Sequence, residues 1–202
     1  MNILFVNYGD FATNSLNHIG AFANTLSREG HSCIVAVPRN RESIRYLDNP
    51  LFIPSLYEEI LATPNHFPDS RPATIIHAWT PRENVRLFIE SYQRLYTAPV
   101  ILHLEDNEAH LLESYYRKTL RQLQEDKAIT ENPAWTKDLC HPSLFRPFIS
   151  LCDGATVITD ALKELIPSRI PQQTISPPVN FDHFHPLDSS NINRSDIGIK
   201  EG

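Results

Sequence analysis

Glycine is scarce in this 202-residue sequence, with six residues against sixteen prolines. Phosphate-cradling loops need closely spaced glycines, and neither a GxGxxG dinucleotide fingerprint nor a GxSxG nucleophile elbow occurs. Those absences argue against an NAD enzyme or a hydrolase built on these motifs. Cysteine is also sparse. Cys33, Cys140 and Cys152 are far apart, odd in number and include no CxxC pair. Neither a zinc ribbon nor a disulfide framework is expected, and a reducing cytosol is the simplest setting. Basic residues are outnumbered, since 18 Lys and Arg against 24 Asp and Glu give a formal charge of −6. No Lys/Arg patch interleaved with aromatics is found either, so nucleic acid is not an expected partner. Long hydrophobic runs are missing. The apolar start MNILFVN is seven residues long, lacks a basic region and runs straight into polar YGD, too short for a signal peptide or a membrane span.

What remains is a chain long enough to bury roughly 70% of its unfolded surface without a metal or disulfide staple. Residues 3–6 form a short continuous apolar run, the mark of a buried parallel strand. SLNHIGAFANTLSREGH then places Leu16, Ile19, Phe22, Ala23 and Leu26 at helical spacing, with Asn14 or Ser15 to cap its start and Gly30 to end it. CIVAVP repeats the strand pattern, and the three together make a β–α–β unit. Residues 39–70 are polar and broken by proline, with a short helix over residues 55–62. ATIIHAW, PVILHLE and GATVIT are further strands, and residues 174–176 make a last one. PRENVRLFIESYQRLY is a helix with Pro81 near its first turn, residues 108–127 carry one long helical pattern, and DALKELIP is a short helix. Alternation of strand and helix, without an internal repeat, predicts a Rossmann-like open doubly wound parallel α/β sheet flanked by helices. After Pro178 the chain turns polar.

In such sheets ligands bind beyond the carboxyl ends of the strands, so the residues just after each apolar run carry the chemistry. Asp10, in the loop NYGDFATNS, is suited to accept hydrogen bonds from sugar or ribose hydroxyls; alternatively Asp10, Thr13 and Asn14 form a capping turn. The helix start at Asn14 and Ser15 can attract a phosphate or a hydroxyl. His18, one turn later, is either a packing histidine or a ligand at a pocket edge. Trp79 can stack on a ring, Thr80 lies beside it, and Arg82 can pair with a phosphate or carboxylate. Thr159 ends the GATVIT run. The run VILHLEDNEAH supplies His103, Glu105, Asp106, Asn107 and His110. His103 and Glu105 share a strand face, but His110 belongs to the next helix, so the donors do not converge as a metal site requires. Asp106 and Glu108 have a ready explanation in the dipole of the following helix. Glu105 stands at the strand end, where burial and its neighbour Asp106 would push two carboxyl groups apart in acidity. A cleft-facing strand end and a plain helix start both remain open for this segment.

Taken in order, several segments resemble family 4 glycosyltransferases of the GT-B fold. MNILFVNYGDFATNSLNHIGAFANTLSREGHSCIVAVP is similar to their N-terminal half, a strand, a small-residue loop and a histidine-bearing helix. Its ending, "L..GH.V.V..P", is matched by Leu26, Gly30, His31, Val35, Val37 and Pro38. PVILHLEDNE, DGATVITDALKELI and PPVNFDHFHP resemble three later segments of the same domain. Three departures stand out. The first loop lacks paired glycines, Glu105 occupies the position of the family's acceptor-site histidine with His103 two residues earlier, and Pro178 replaces the glycine before Val179.

The resemblance implies that residues 1–178 are an acceptor-side domain. Residues 179–202 would be a linker toward an absent C-terminal domain that holds the nucleotide-sugar. It implies a retaining transfer from a UDP- or GDP-type donor to the hydroxyl of a sugar or lipid-linked acceptor. Neither metal nor cofactor is implied, and the expected location is cytoplasmic, peripheral at the inner membrane face. Glu105 and Asp106 become the catalytic candidates, while Asp10, Thr13, Asn14, Ser15, His18, Trp79, Thr80, Arg82, His103, Asn107 and Thr159 become substrate-binding ones. The chain alone is expected to be inactive, because half a cleft neither encloses the donor nor excludes water. The competing expectation is a non-catalytic module that binds a sugar or nucleotide or docks a partner.

Overall fold

A computed structural model of the protein describes residues 1–63, 66–132, 135 and 138–178. The expected linker, residues 179–202, lies outside the described residues. Seven parallel strands form one sheet: β1 (Asn2–Asn7), β2 (Ser32–Val37), β3 (Ile53–Leu56), β4 (Ile75–Trp79), β5 (Val100–Leu104), β6 (Gly154–Val157) and β7 (Gln172–Thr174), in the order β3-β2-β1-β4-β5-β6-β7. The predicted doubly wound sheet is therefore present, with two strands more than the five clear apolar runs. β3 escapes the pattern because it is an edge strand carrying Pro54, a residue tolerated only where one side of the ladder is unpaired. β7 lies at residues 172–174 rather than 174–176.

Every residue of β1 is buried, as expected for a strand flanked on both edges and covered on both faces. Alternation sorts the core into two layers. Leu4, Val6, Ile34, Ala36, Ile76 and Ala78 point to one face, while Ile3, Phe5, Val35 and Val37 point to the other. Helix α1 (Asn14–Arg28) packs Leu16, Ile19 and Ala23 into the second layer. It ends in a Schellman turn: His31 N–H donates to Leu26 O at 3.0 Å and Gly30 N–H to Ser27 O at 3.1 Å, with Gly30 at φ +85°. The opposite layer is filled from α2 (Tyr57–Ala62) and α3 (Glu83–Gln93), whose Ile60, Val85, Phe88, Ile89 and Tyr92 are buried.

Four helix boundaries differ from expectation, the first being α2, which starts at Tyr57 rather than at residue 55 because residues 55 and 56 belong to β3. The cap of α1 is Thr13, and α3 begins at Glu83 after Arg82, leaving Pro81 outside the helix. The long pattern over residues 108–127 breaks into α4 (Glu108–Tyr116), α5 (Leu120–Glu125) and α6 (Lys127–Thr130). Arg117 turns left-handed at φ +51°, and Thr119 then opens α5 with a capping box to Gln122. The local cap overrides a periodicity that runs straight through it. Helix α7 (Phe145–Leu151) precedes β6, and 3-10 turns occupy Arg41–Tyr46 and Asp160–Leu165. Among the described residues no helix is long and apolar enough to cross a membrane.

Under α1 lies a polar layer that the hydrophobic pattern hides. The Thr156 hydroxyl serves two imidazoles, His103 Nδ1 at 2.8 Å and His77 Nε2 at 3.2 Å. Desolvation lowers His77 to about 4 and His103 to about 3, the second also through repulsion from His77 and His18. The unfolded chain still takes up both protons near 6.5, so folding stability falls as pH drops from about 6.5 through 4. Each imidazole contributes a slope of roughly 1.4 kcal/mol per pH unit in that window. Urea unfolding at pH 7 and pH 5 checks this: a loss on the order of 2–4 kcal/mol is expected, and His77→Gln should remove about half of it.

Candidate active site at the carboxyl edge

β1 and β4 are neighbours, yet the chain leaves β1 into α1 on one face and leaves β4 into α3 on the other. The divergence opens a crevice beyond the strand ends, the place where doubly wound sheets take ligands. Its floor begins with Asn7, fully buried, whose side-chain amide donates to Gly9 O at 2.9 Å, Asp10 O at 3.1 Å and Thr13 Oγ1 at 3.0 Å. This one amide shapes the loop and sets the start of α1. Thr13 spends its hydroxyl on the loop, donating to Asp10 O at 3.2 Å, and gives α1 no side-chain cap. Asp10 is engaged as well. One oxygen accepts from Ala12 N at 3.0 Å and the other from Asn40 Nδ2 at 2.8 Å, so the turn-forming role is the one observed.

α1 then brings Ser15 and His18 to face the end of β5. Ser15 Oγ donates to Glu105 Oε2, and His18 Nδ1 lies 3.0 Å from Glu105 Oε1. A carboxylate only accepts, so in the neutral ring Nδ1 carries the proton and Nε2 is left as a free base. Glu105 is held between two partners 90 and 87 residues away in sequence. The His18 side chain is 27% exposed and that of Glu105 13%, which leaves the imidazole within reach of a ligand while its carboxylate partner is shielded. Asn14 sits exposed at the helix start.

A second cluster stands beside the first. Arg82 stands over the Tyr8 ring with Cζ 3.7 Å from its centroid, donates from Nε to Glu108 Oε1 at 3.3 Å, and has Nη2 3.8 Å from Asp106. Glu108 is 2% exposed; burial raises its pKa, against the pull of Arg82. The wholly buried Thr80 hydroxyl also stands against this carboxyl and, like Arg82, favours its charged form. Asp106 is half exposed. Asn107 caps α4, accepting from His110 N at 3.1 Å, which makes DNE a helix start, while Glu105, two residues earlier, is tied to α1.

Three predicted binding residues belong beneath the crevice rather than on it. Trp79 is fully buried with its ring stacked 4.0 Å from His103; His103 is committed to Thr156; Thr80 is closed off at 0% exposure. Strand residues this near the sheet's centre have both faces occupied by protein, so none presents a surface to a substrate. Thr159 lies at the start of the 3-10 turn and is exposed. Sequence reasoning missed Tyr8 and Asn7, whose only signal is their position at the end of the first apolar run.

No protein-family model matches the sequence, and no curated protein does. Solved structures match instead. UGT89C1 of Arabidopsis thaliana, solved with UDP, aligns over 89% of this chain and 53% of its own at 11% identity, TM-score 0.52. HepE of Anabaena, solved with UDP and glucose, aligns over 98% of this chain and 50% of its own at 11% identity, TM-score 0.58. The chain spans about half the length of both. These are GT-B glycosyltransferases, and the likeness establishes the fold, a Rossmann-like α/β layer as found in that architecture.

Gly9 tests how tightly the loop is drawn. A Cβ there would stand 2.3 Å from Thr13 Cγ2. Gly9→Ala should cost about 1–3 kcal/mol in urea unfolding, because the β-branched Thr13 has to move and its bond from Asn7 loosens. Gly154→Ala, which meets only the flexible end of Ile101, should cost less.

Proposed function

We propose that this chain is the acceptor-side half of a glycosyltransferase that moves a sugar from a nucleotide-sugar to a hydroxyl acceptor. The observation that carries the reading is the Ser15–Glu105–His18 constellation at the switch point of the sheet. His18 Nε2 takes the proton of the acceptor hydroxyl, and the acceptor oxygen attacks the anomeric carbon. The bond from that carbon to the donor diphosphate breaks, and the nucleoside diphosphate leaves with the electron pair. Glu105 orients His18 and stabilises the imidazolium that forms, while Ser15 holds the second carboxylate oxygen. The fold shared with two UDP-bound glycosyltransferases supports the donor class. Arg82 and Asp106 line the same crevice, and Asn14 stands at its helix start. The donor is held by a further domain beyond this one, and the isolated half turns over no donor.

Two stereochemical courses follow from two arguments. Membership of family 4, which the sequence motifs suggest, entails retention, with Glu105 and Asp106 near the transferred sugar and His18 as a binding group. A base aligned by a carboxylate fits direct displacement, which inverts the anomeric centre, and the 3.0 Å pair favours this course. Placement at the cytoplasmic membrane face belongs to the same proposal and rests on the resemblance to enzymes with lipid-linked acceptors. The competing role, a binding module without catalysis, predicts donor or acceptor binding with no transfer.

Kinetics on the protein encoded by the full reading frame tests the assignment. His18→Asn should lower kcat about 10²–10⁴-fold. Glu105→Gln should lower it by less, and Asp106→Asn by less again, since Asp106 touches Arg82 and not His18. Full transfer by His18→Asn would remove His18 as the base, and proton NMR of the product anomer decides between inversion and retention.

A further inference from the structure

A groove of about 380 Å³ opens beyond the carboxyl end of β2, between α2 and α3. That volume lies in the range of small-molecule sites. Its floor is the Tyr57 ring stacked on Phe88, centroids 4.2 Å apart, with Leu61 and Leu87 as walls. The groove shares its base with the crevice. Tyr57 Oη donates to Asn7 O at 2.6 Å, and Asn84 Nδ2 donates to Tyr8 O, so the end of β1 underlies both. Burial pushes the Tyr57 phenol well above its ordinary value, which keeps it protonated as that donor.

Apart from the small Ser91 hydroxyl, the polar side chains on the groove are already engaged. Asn84 donates its side-chain N–H to Tyr8 O, and its side-chain oxygen accepts from Val85 N at 2.8 Å. Arg39 at the rim is held by Asp138 through two 3.0 Å bonds. A sugar placed here would lose hydrogen bonds to water and recover few, whereas an apolar body loses nothing. β2, β1, β4 and β5 are consecutive in the sheet, spaced about 4.8 Å, so the groove and Glu105 are on the order of 10–15 Å apart.

We propose that this groove holds the apolar body of the acceptor, which makes the acceptor a hydroxyl-bearing amphiphile and not a free sugar. The inference rests on the acceptor-side reading above and adds the substrate class. The polar head lies at His18, and a chain or ring system about 10 Å long passes over the end of β1 into the slot between α2 and α3.

Octyl β-glucoside below its micelle concentration and methyl β-glucoside share one head group and differ only in the tail, so titration calorimetry of both isolates the groove. The octyl compound should bind at least tenfold more tightly. Ser91→Trp, at a half-buried position of α3 on the groove wall, should erase that advantage by filling the slot. Leu61→Asn is the second variant, used if Ser91→Trp melts early in circular dichroism. Equal affinity for the two glucosides, or an advantage that survives both variants, overturns the proposal. The two readings fail separately. Loss of transfer in His18→Asn without an octyl preference removes the groove alone. A tail preference abolished by the variants, together with unimpaired transfer by His18→Asn, removes the base alone.

Discussion

The pairing of β1 with both β2 and β4 is the constraint from which the rest of the molecule follows. A strand hydrogen-bonded along both edges and covered on both faces has no contact with water, and all six of its residues are accordingly buried. The chain must then leave β1 and β4 toward opposite faces, because parallel neighbours need right-handed crossovers. A crevice at their carboxyl ends is the geometric remainder. Asn7, the last residue of β1, converts that remainder into a shaped site by spending its amide on the loop that leads into α1. A loop held by one buried side chain stands where dinucleotide-binding sheets carry a glycine-rich turn.

The crevice combines two electrostatic arrangements of different character. At Glu105 the charge is shared with a hydroxyl and an imidazole on a single helix, and the imidazole remains partly open to solvent. At Glu108 a carboxyl is taken almost wholly out of water beside one guanidinium, and burial wins over that partner in setting its acidity. The first arrangement leaves the Nε2 of His18 outside the contact with Glu105. The second fixes the position of Arg82 over Tyr8 and so builds the ridge between the two strand ends. The imidazoles of His77 and His103 behave differently again, the first half-buried and the second buried, around the Thr156 hydroxyl under α1.

A substantial part of this was legible in the residues. Ile3 to Val6 and the CIVAVP run announced buried parallel strands, Gly30 announced the end of α1, and the strand-end rule pointed to Ser15, His18, Arg82, Glu105 and Asp106 together with Asp10, Thr13, Asn14, Trp79, Thr80, His103, Asn107 and Thr159. Those signals are local, decided by period, cap or chirality within a few residues. The split of residues 108–127 was also locally encoded, in Thr119 and Gln122, but the stronger apolar period masked it. Edge strand β3 was hidden because its Pro54 violates the composition of a strand while satisfying the geometry of a sheet edge.

Sequence by itself therefore determined the class of fold and the residue types offered at the carboxyl edge of the sheet. Tertiary structure decided which of them meet. Only the approach of α1 to β5 turns Glu105 from one of three crowded carboxylates into the partner of Ser15 and His18, across 90 and 87 residues of chain. Only close packing on both faces takes Trp79, Thr80 and His103 out of reach, although each stands at a strand end. The physical reason is that burial and long-range hydrogen bonding depend on what lies opposite a side chain, and no spacing along the chain carries that.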